Sequence, residues 1–469
     1  MRLRETGSLT ADERSFRNAK LRDAFLISYK AFADLAGKTA LFVITIVAAR
    51  RLSPQAFGIF SLGSTLGWMV GVTTDFGIQL HLARAVARRP QDAARLLGLW
   101  LRVRLWTATG AMTVVAIGLV AAGWTAAFSV PIAVLALVYA CSGLIELLHY
   151  FYRGLSRSDV EASLTLWQRS ATLVCGLIAL AWWPDVTVLA CALLLPVAAT
   201  LAVSVRLATT MTTMSSGRPE ALHYNSHSAD LQVRPTIEDA SRNVDSHVGP
   251  SRSADLEVGP WTTFRRDVWP IGAGIVLSAL YFRIDVLLVQ LWSGTEAVAR
   301  YNAVFRLVEA LRLFPAAVLA VMLPSLCRAG DLRPLIRVAV PTTVCAAAAA
   351  AALWTVSGWL VPFLYGAPYA SAVPAFRILL LSFPLMSLNF ALTHQLVGWN
   401  GQRVYAAMCA VALVVNVVVN TQLIPAWSIE GAAWATLGTE LFLTAACIAA
   451  LWTMTVKLSG DLAEDVVMG

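Results

Sequence analysis

The run KLRDAFLISYKAFADLAGKTALFVITIVAARR, Lys20–Arg51, decides the fold class. Its apolar length suits a helix that crosses a bilayer, which takes about 20 residues. Yet Lys30, Asp34 and Lys38 stand inside it, each four residues from the next. Positions four apart drift by only about 40° around a helix, so the three charges form one polar stripe. A charge at the bilayer centre costs about 2.5–3.5 kcal/mol on insertion scales. Three of them are not sustained against lipid, so the stripe faces protein or water. Asp34 can pair one turn in each direction, but two cations then share one anion.

The rest of the chain has the same character. Of its 469 residues, 58% are hydrophobic and only 14% charged, against about 25% charged in soluble domains. The expected fold is an all-α integral membrane protein. Twelve spans are expected, at about 21–49, 57–80, 99–122, 126–151, 162–183, 186–208, 267–292, 297–326, 336–361, 372–397, 404–424 and 430–455. The seven cysteines lie in or at the ends of apolar runs, none in a CxxC pair, and read as small buried hydrophobes rather than a disulfide or metal set. The N-terminal segment is polar and basic and lacks the apolar core of a signal peptide.

A net charge of +8 would suggest nucleic acid in a soluble protein. Here the arginines sort by side, and no nucleic acid is implied. Arg84, Arg88, Arg89 and Arg95, then Arg153 and Arg157, then Arg328, Arg333 and Arg337, and finally Arg403 fall in loops on one side. The other side has AGWTAAFS, WWPDV, LYGAPYASAV and IPAWSIEG, without Lys or Arg; its exceptions are Arg50–Arg51 and Arg300. Cationic loops stay cytoplasmic, which puts both termini inside.

One segment does not read as membrane. Residues 209–266 are rich in Ser, Asp, Arg, Pro and His and carry a near-duplicate, SHSADLQVRP and SRSADLEVGP. This composition predicts a disordered cytoplasmic linker. His223 and His227 lie four apart there with no helix to hold them, so no metal site is expected. The expected organisation is a tail at 1–20, a six-helix lobe at 21–208, the linker at 209–266, a second six-helix lobe at 267–455 and a tail at 456–469. Similar phrases follow spans one and seven, ARRLSPQAFGIFSL and QLWSGTEAVARYNAVF. Two six-helix halves that enter from the same side are parallel repeats, and transporters carry their sites between such repeats.

More charges fall inside spans. Span seven holds Arg283 and Asp285 in YFRIDVLLV, and span eight holds Arg306, Glu309 and Arg312 at three-residue steps in FRLVEALRLF. If Lys30, Lys38, Arg283, Arg306 and Arg312 share a lumen with Asp34, Asp285 and Glu309, five positive charges meet three negative ones. A wet, net-positive cavity attracts an anion. Only four lysines exist, and the arginine fork suits phosphate. Arg377 reads as an interface anchor, Glu146 with His149 as a helix-end pair, and Asp75 as a cap or a partner of Arg84. Asn389, Asn416, Asn420 and Glu440 read as hydrogen bonders between helices. Pro315, Pro341 and Pro384 predict kinks in spans eight, nine and ten.

Three stretches carry a resemblance. They are ARRLSPQAFGIFSLGSTLGWMVGVTTDFGIQLHLAR, LSALYFRIDVLLVQLWSGTEAVARYNAVFRLVEALRLFPAAVLAVMLPSL and VVNVVVNTQLIPAWSIEGAAWATLGTE. In this order they resemble bacterial polysaccharide exporters of the oligosaccharide-flippase (Wzx-type) family. Its superfamily also holds multidrug extruders and the peptidoglycan-precursor flippase. The long linker departs from the family pattern. The resemblance implies a V-shaped, alternating-access bundle of two lobes related by parallel pseudo-symmetry. It also implies a bacterial inner-membrane flippase that turns undecaprenyl-pyrophosphate-linked oligosaccharide from the inner to the outer leaflet. Cations in the first and eighth spans line the cavity of the peptidoglycan-precursor relative; Lys30, Lys38, Arg306 and Arg312 occupy comparable spans here. No enzymatic activity, catalytic residue, metal or cofactor is expected. The partners implied are the lipid-linked oligosaccharide, the bilayer, and polysaccharide polymerase or assembly proteins. A multidrug/cation antiporter of the same superfamily and a non-transporting component of polysaccharide assembly are the alternatives.

Overall fold

The computed structural model describes Tyr29, Ala33 and residues 36–217, 269–328 and 331–468. Lys30, Asp34, the N-terminal tail and residues 218–268 of the expected linker lie outside the described residues. Within the described residues every regular element is helical. Helix α1 covers residues 36–51. It is followed by α2 (Pro54–Asp75), α3 (Ile78–Arg88), α4 (Ala93–Ala121), α5 (Ala126–Gly154), α6 (Ser158–Trp182) and α7 (Val186–Gly217). The second half holds α8 (Trp269–Ser293), α9 (Thr295–Leu311), α10 (Leu313–Arg328), α11 (Arg333–Tyr365), α12 (Val373–Gly398) and α13 (Gln402–Met468).

Nine stretches are long and apolar enough to cross a membrane among the described residues. They agree with the expected twelve spans once three details are seen. Helix α13 is two membrane arms joined at Ser428, whose backbone (φ 49°, ψ −125°) leaves the helical region in the loop IPAWSIEG. Span eight is divided into α9 and α10, and only the end of span one is described. Val114, Ile117 and Val120 of α4 stand on the outside of the bundle, as lipid-facing side chains do.

Local chemistry sets the boundaries. Ser53 caps α2, its hydroxyl accepting from the Ala56 N–H at 3.2 Å, and Pro54 follows in the first turn. Span two is shorter than the expected 57–80. It stops at Asp75, because Phe76 and Gly77 both take positive φ (44° and 78°) and turn the chain into the short rim helix α3. Span eight breaks at Arg312, three residues before Pro315, which has no N–H to offer the preceding turn. Pro341 and Pro384, by contrast, sit within the uninterrupted helices α11 and α12. Helix α7 runs past residue 208 to Gly217, beyond the expected start of the linker.

The apolar cores show how the lobes meet. At the arginine-poor end one continuous core takes in Ile44 and Phe57 from the first lobe and Val298, Tyr301 and Phe376 from the second. At the arginine-rich end there are two separate cores. One, around Leu82, Trp100 and Phe151, belongs to the first lobe; the other, around Leu319, Leu335 and Leu396, belongs to the second. The lobes thus share one core at the arginine-poor end and keep separate cores at the arginine-rich end, where Phe76 still meets Trp269 at 4.9 Å between ring centroids. Helices α2 and α9, each entered just after its lobe's first span, pack on one another where the lobes join.

Candidate functional site

The break in span eight organises the charges. One turn earlier on α9, the Glu309 carboxylate accepts from two guanidinium groups through the same oxygen. Arg306 reaches it at 2.8 Å from within α9, and Arg283 at 2.8 Å from α8. Arg283 also donates to the Asn302 side-chain oxygen at 3.2 Å. At the break itself, Arg312 lies over the Phe282 ring, 4.1 Å from its centroid. Arg312 has no carboxylate within ion-pair distance among the described residues. Phe305 lies under Arg283 at 4.6 Å. The result is a shelf of three guanidinium groups on two aromatic rings, holding one acid.

The shelf faces the other lobe. Trp68 of α2 lies 6.0 Å from the Arg283 guanidinium. The Arg283 side chain is 3% exposed, Arg306 17% and Glu309 34%, so access rises from the helix contact outward. A carboxylate one-third exposed in the middle of an apolar span marks open space there rather than packed protein.

The other expected site residues separate. Asp285 is buried and within electrostatic reach of Arg283, but its hydrogen bonds go elsewhere. It accepts from the Tyr301 hydroxyl and from the Val286 N–H at 2.8 Å, and Tyr301 in turn meets Thr436 of α13 at 3.3 Å. Lys38 is exposed, and its neighbour Gly37 lies against the stem of Arg169 from α6. Arg377 donates to Ser357 at 2.9 Å and so turns into α11 rather than toward headgroups. His394 bonds the Phe390 carbonyl within its own helix. The four polar residues expected to link helices form two groups: Asn389 with Glu440 (2.7 Å), and Asn416 with Thr439 (3.1 Å) and Asn420 (2.9 Å).

A second cluster lies in the first lobe, around a residue that the pattern of charged spans does not single out. Arg104 of α4 donates to the Gly71 carbonyl at 3.1 Å and stands 3.9 Å from Asp75. Asp75 therefore has Arg104 as its partner, not Arg84. It also caps the turn after α2, accepting from the Gly77 and Gln79 N–H groups at 3.3 and 3.4 Å. Glu146 lies within electrostatic reach of Asp75, Arg104 and Arg169, so it belongs to this cluster rather than to a pair with His149. The sequence signal for Arg104 is a cation deep in the apolar run of span three. Trp68 and Asn302 carry no signal, being ordinary residues of their spans.

Comparison with known proteins agrees with the fold. Residues 27–230 match the family model of polysaccharide biosynthesis proteins. The structure is similar to a multidrug resistance MATE family transporter of the MOP superfamily in its inward-facing conformation, with a TM-score of 0.63 at 13% identity over 90% of this chain and 95% of that one. It is also similar to the lipid II flippase MurJ in an inward closed conformation, with a TM-score of 0.58 at 12% identity over 92% and 89% of the two chains. The outward-facing form of a MATE transporter scores 0.54 at 14% identity, over 93% and 96%. A search of curated proteins finds no match. The chain is a multi-pass membrane protein whose fold is like that of these solved structures. The match to polysaccharide biosynthesis proteins falls on the first lobe and the start of the segment after it, in keeping with the resemblance of the quoted stretches.

Proposed function

We propose that the protein is a flippase of the bacterial inner membrane. It carries undecaprenyl-pyrophosphate-linked oligosaccharide from the cytoplasmic to the outer leaflet. The observation that carries this reading is the shelf: Arg283, Arg306 and Arg312 gathered where α8 meets the end of α9, with Glu309 shared by the first two. Arg283 and Arg306 share one acid, and Arg312 makes no close ion pair among the described residues, so its donors are available to a ligand. Guanidinium groups suit the oxygens of a pyrophosphate or of an acidic sugar. Lys38, and Lys30 beyond the described residues, would add charge from span one. The isoprenoid tail would stay in lipid between the lobes.

In this reading the arginine-rich loops and both termini lie in the cytoplasm, and the 209–266 segment links the lobes there. The end with separate cores then faces inward. With the cytoplasm negative, moving one negative charge outward releases about 2.3 kcal/mol per 100 mV. Asp34, Asp285 and Glu309 are the acids through which a coupling ion would act. Polymerase or assembly proteins would receive the product. A multidrug or cation antiporter has the same fold, but a cationic drug would meet three guanidinium groups and one acid on this shelf.

The test is a deletion strain in which lipid-linked oligosaccharide is assayed on each leaflet. Accumulation on the cytoplasmic leaflet, reversed by the wild-type chain but not by Arg312→Ala, supports the reading. Unchanged leaflet distribution, together with lost resistance to cationic drugs, would favour the antiporter.

A further inference from the structure

Arg50 sits where the charge pattern disfavours it, at the arginine-poor end, and its side chain supplies the reason. Its guanidinium crosses to the second lobe and donates to two backbone carbonyls at the C-terminus of α11, Leu364 at 2.8 Å and Phe363. The last four carbonyls of a helix have no partner within it, and a cation there also meets the negative end of the helix dipole. The Pro362 carbonyl is already taken by the Gly366 N–H, and Arg50 takes the next two, Phe363 and Leu364.

Two further contacts close the same seam. The Phe57 ring meets Tyr369 edge-on at 5.9 Å. Gly58 of α2 lies so near Thr295 that a Cβ would stand 2.1 Å from its backbone oxygen. These are inter-lobe contacts at the end where the core is continuous, and each is lost when the lobes part there.

We infer that Arg50 is the latch of this end of the bundle: its two bonds to the α11 C-terminus hold the lobes together in the state described here, and release of those bonds accompanies opening on the arginine-poor side. The inference rests on the two-lobed alternating-access reading but not on the identity of the substrate.

The experiment measures distances in the full chain reconstituted in vesicles without any lipid-linked sugar. Spin-labelled amino acids are encoded at Ala122 and Ala370, exposed positions of the two lobes at the arginine-poor end. A second pair, at Ser156 and Val404, reports the arginine-rich end. Arg50→Ala is expected to raise the long-distance population of the first pair about tenfold, the scale of one charge-assisted hydrogen bond, and to shorten the second pair. Arg51→Ala, at an exposed neighbour, is expected to change neither. Gly58→Ala forces the same seam apart by steric contact and must shift both pairs in the same direction, which keeps the test decisive if Arg50→Ala fails to accumulate. Unchanged distances in Arg50→Ala overturn the latch, as does a lack of response to Gly58→Ala when Arg50→Ala does not accumulate. A latch that responds while lipid-linked oligosaccharide is not turned over would count against the proposed substrate alone.

Discussion

The two lobes each bury arginines beside carboxylates, and they use them differently. In the second lobe Glu309 receives two guanidinium groups at 2.8 Å, and the neighbouring Arg312 rests on a ring with no carboxylate at ion-pair distance among the described residues. In the first lobe Arg104 stands 3.9 Å from Asp75 and spends its firm hydrogen bond, 3.1 Å, on a backbone carbonyl. Asp75 meanwhile holds the N–H groups of the turn that ends α2. The shelf of the second lobe is built around a charge excess that faces the other lobe; the cluster of the first lobe ties three helices and a chain reversal together. A buried arginine is therefore not a site by itself. What distinguishes the two is their surroundings: Arg104 is enclosed within its own lobe beside a backbone carbonyl, whereas Arg283 and Arg306 share an acid that is one-third exposed.

The comparison can be broken by substitution, and the sharpest cut is at Arg312. Arg312→Ala is expected to lower transport about a hundredfold, equivalent to about 2.7 kcal/mol. Its thermal unfolding should change by no more than about 1 kcal/mol, since only a cation–π contact is lost. A large stability loss with normal turnover per folded molecule would make Arg312 structural, like Arg104. Glu309→Ala leaves Arg283 and Arg306 facing each other without their shared acid. It is expected to destabilise the protein by about 2 kcal/mol, tempered by the partial exposure of Glu309, as read from thermal unfolding in detergent.

Arg104→Ala acts in the other lobe. It removes one donor from the Gly71 carbonyl, which keeps the Thr74 hydroxyl at 3.2 Å, and deletes a fully buried side chain, with an expected loss of about 1.5 kcal/mol. The apparent affinity for substrate in the surviving protein should be unchanged; a raised concentration for half-maximal transport would erase the distinction between the lobes. The smallest effect belongs to Asp75→Asn. Gly77 and Gln79 bond different oxygens of the carboxylate, so the amide keeps only one of the two bonds; with the long ion pair contributing little, the cost should be about 1 kcal/mol. A larger loss would mean that the charge of Asp75, rather than its geometry, holds the turn.

Much of the site's membership is legible in the order of residues. Arg283, Arg306, Glu309 and Arg312 stand out as charges in apolar spans, and the three-residue spacing puts the last three on one face. Asp285, two residues from Arg283, groups with them on that criterion, because period alone cannot say which neighbouring helix meets each side of α8. Packing gives its hydrogen bonds to Tyr301 and the Val286 N–H rather than to the shelf. The prolines behave in the same way. Each one removes a donor, but only Pro315 stands after a broken turn; Pro341 and Pro384 are absorbed by continuous helices.

Hydropathy and charge along the chain suffice to place it in a membrane, to divide it into two similar halves and to say which loops carry the arginines. Those properties act residue by residue and need no partner. Packing of the helices was needed to settle which buried charges neutralise one another, that the lobes share a core at one end and keep separate cores at the other, and that Arg50 reaches a helix end in the opposite lobe. Each of these depends on contacts between residues far apart in the chain, whose energies exist only once the helices are packed.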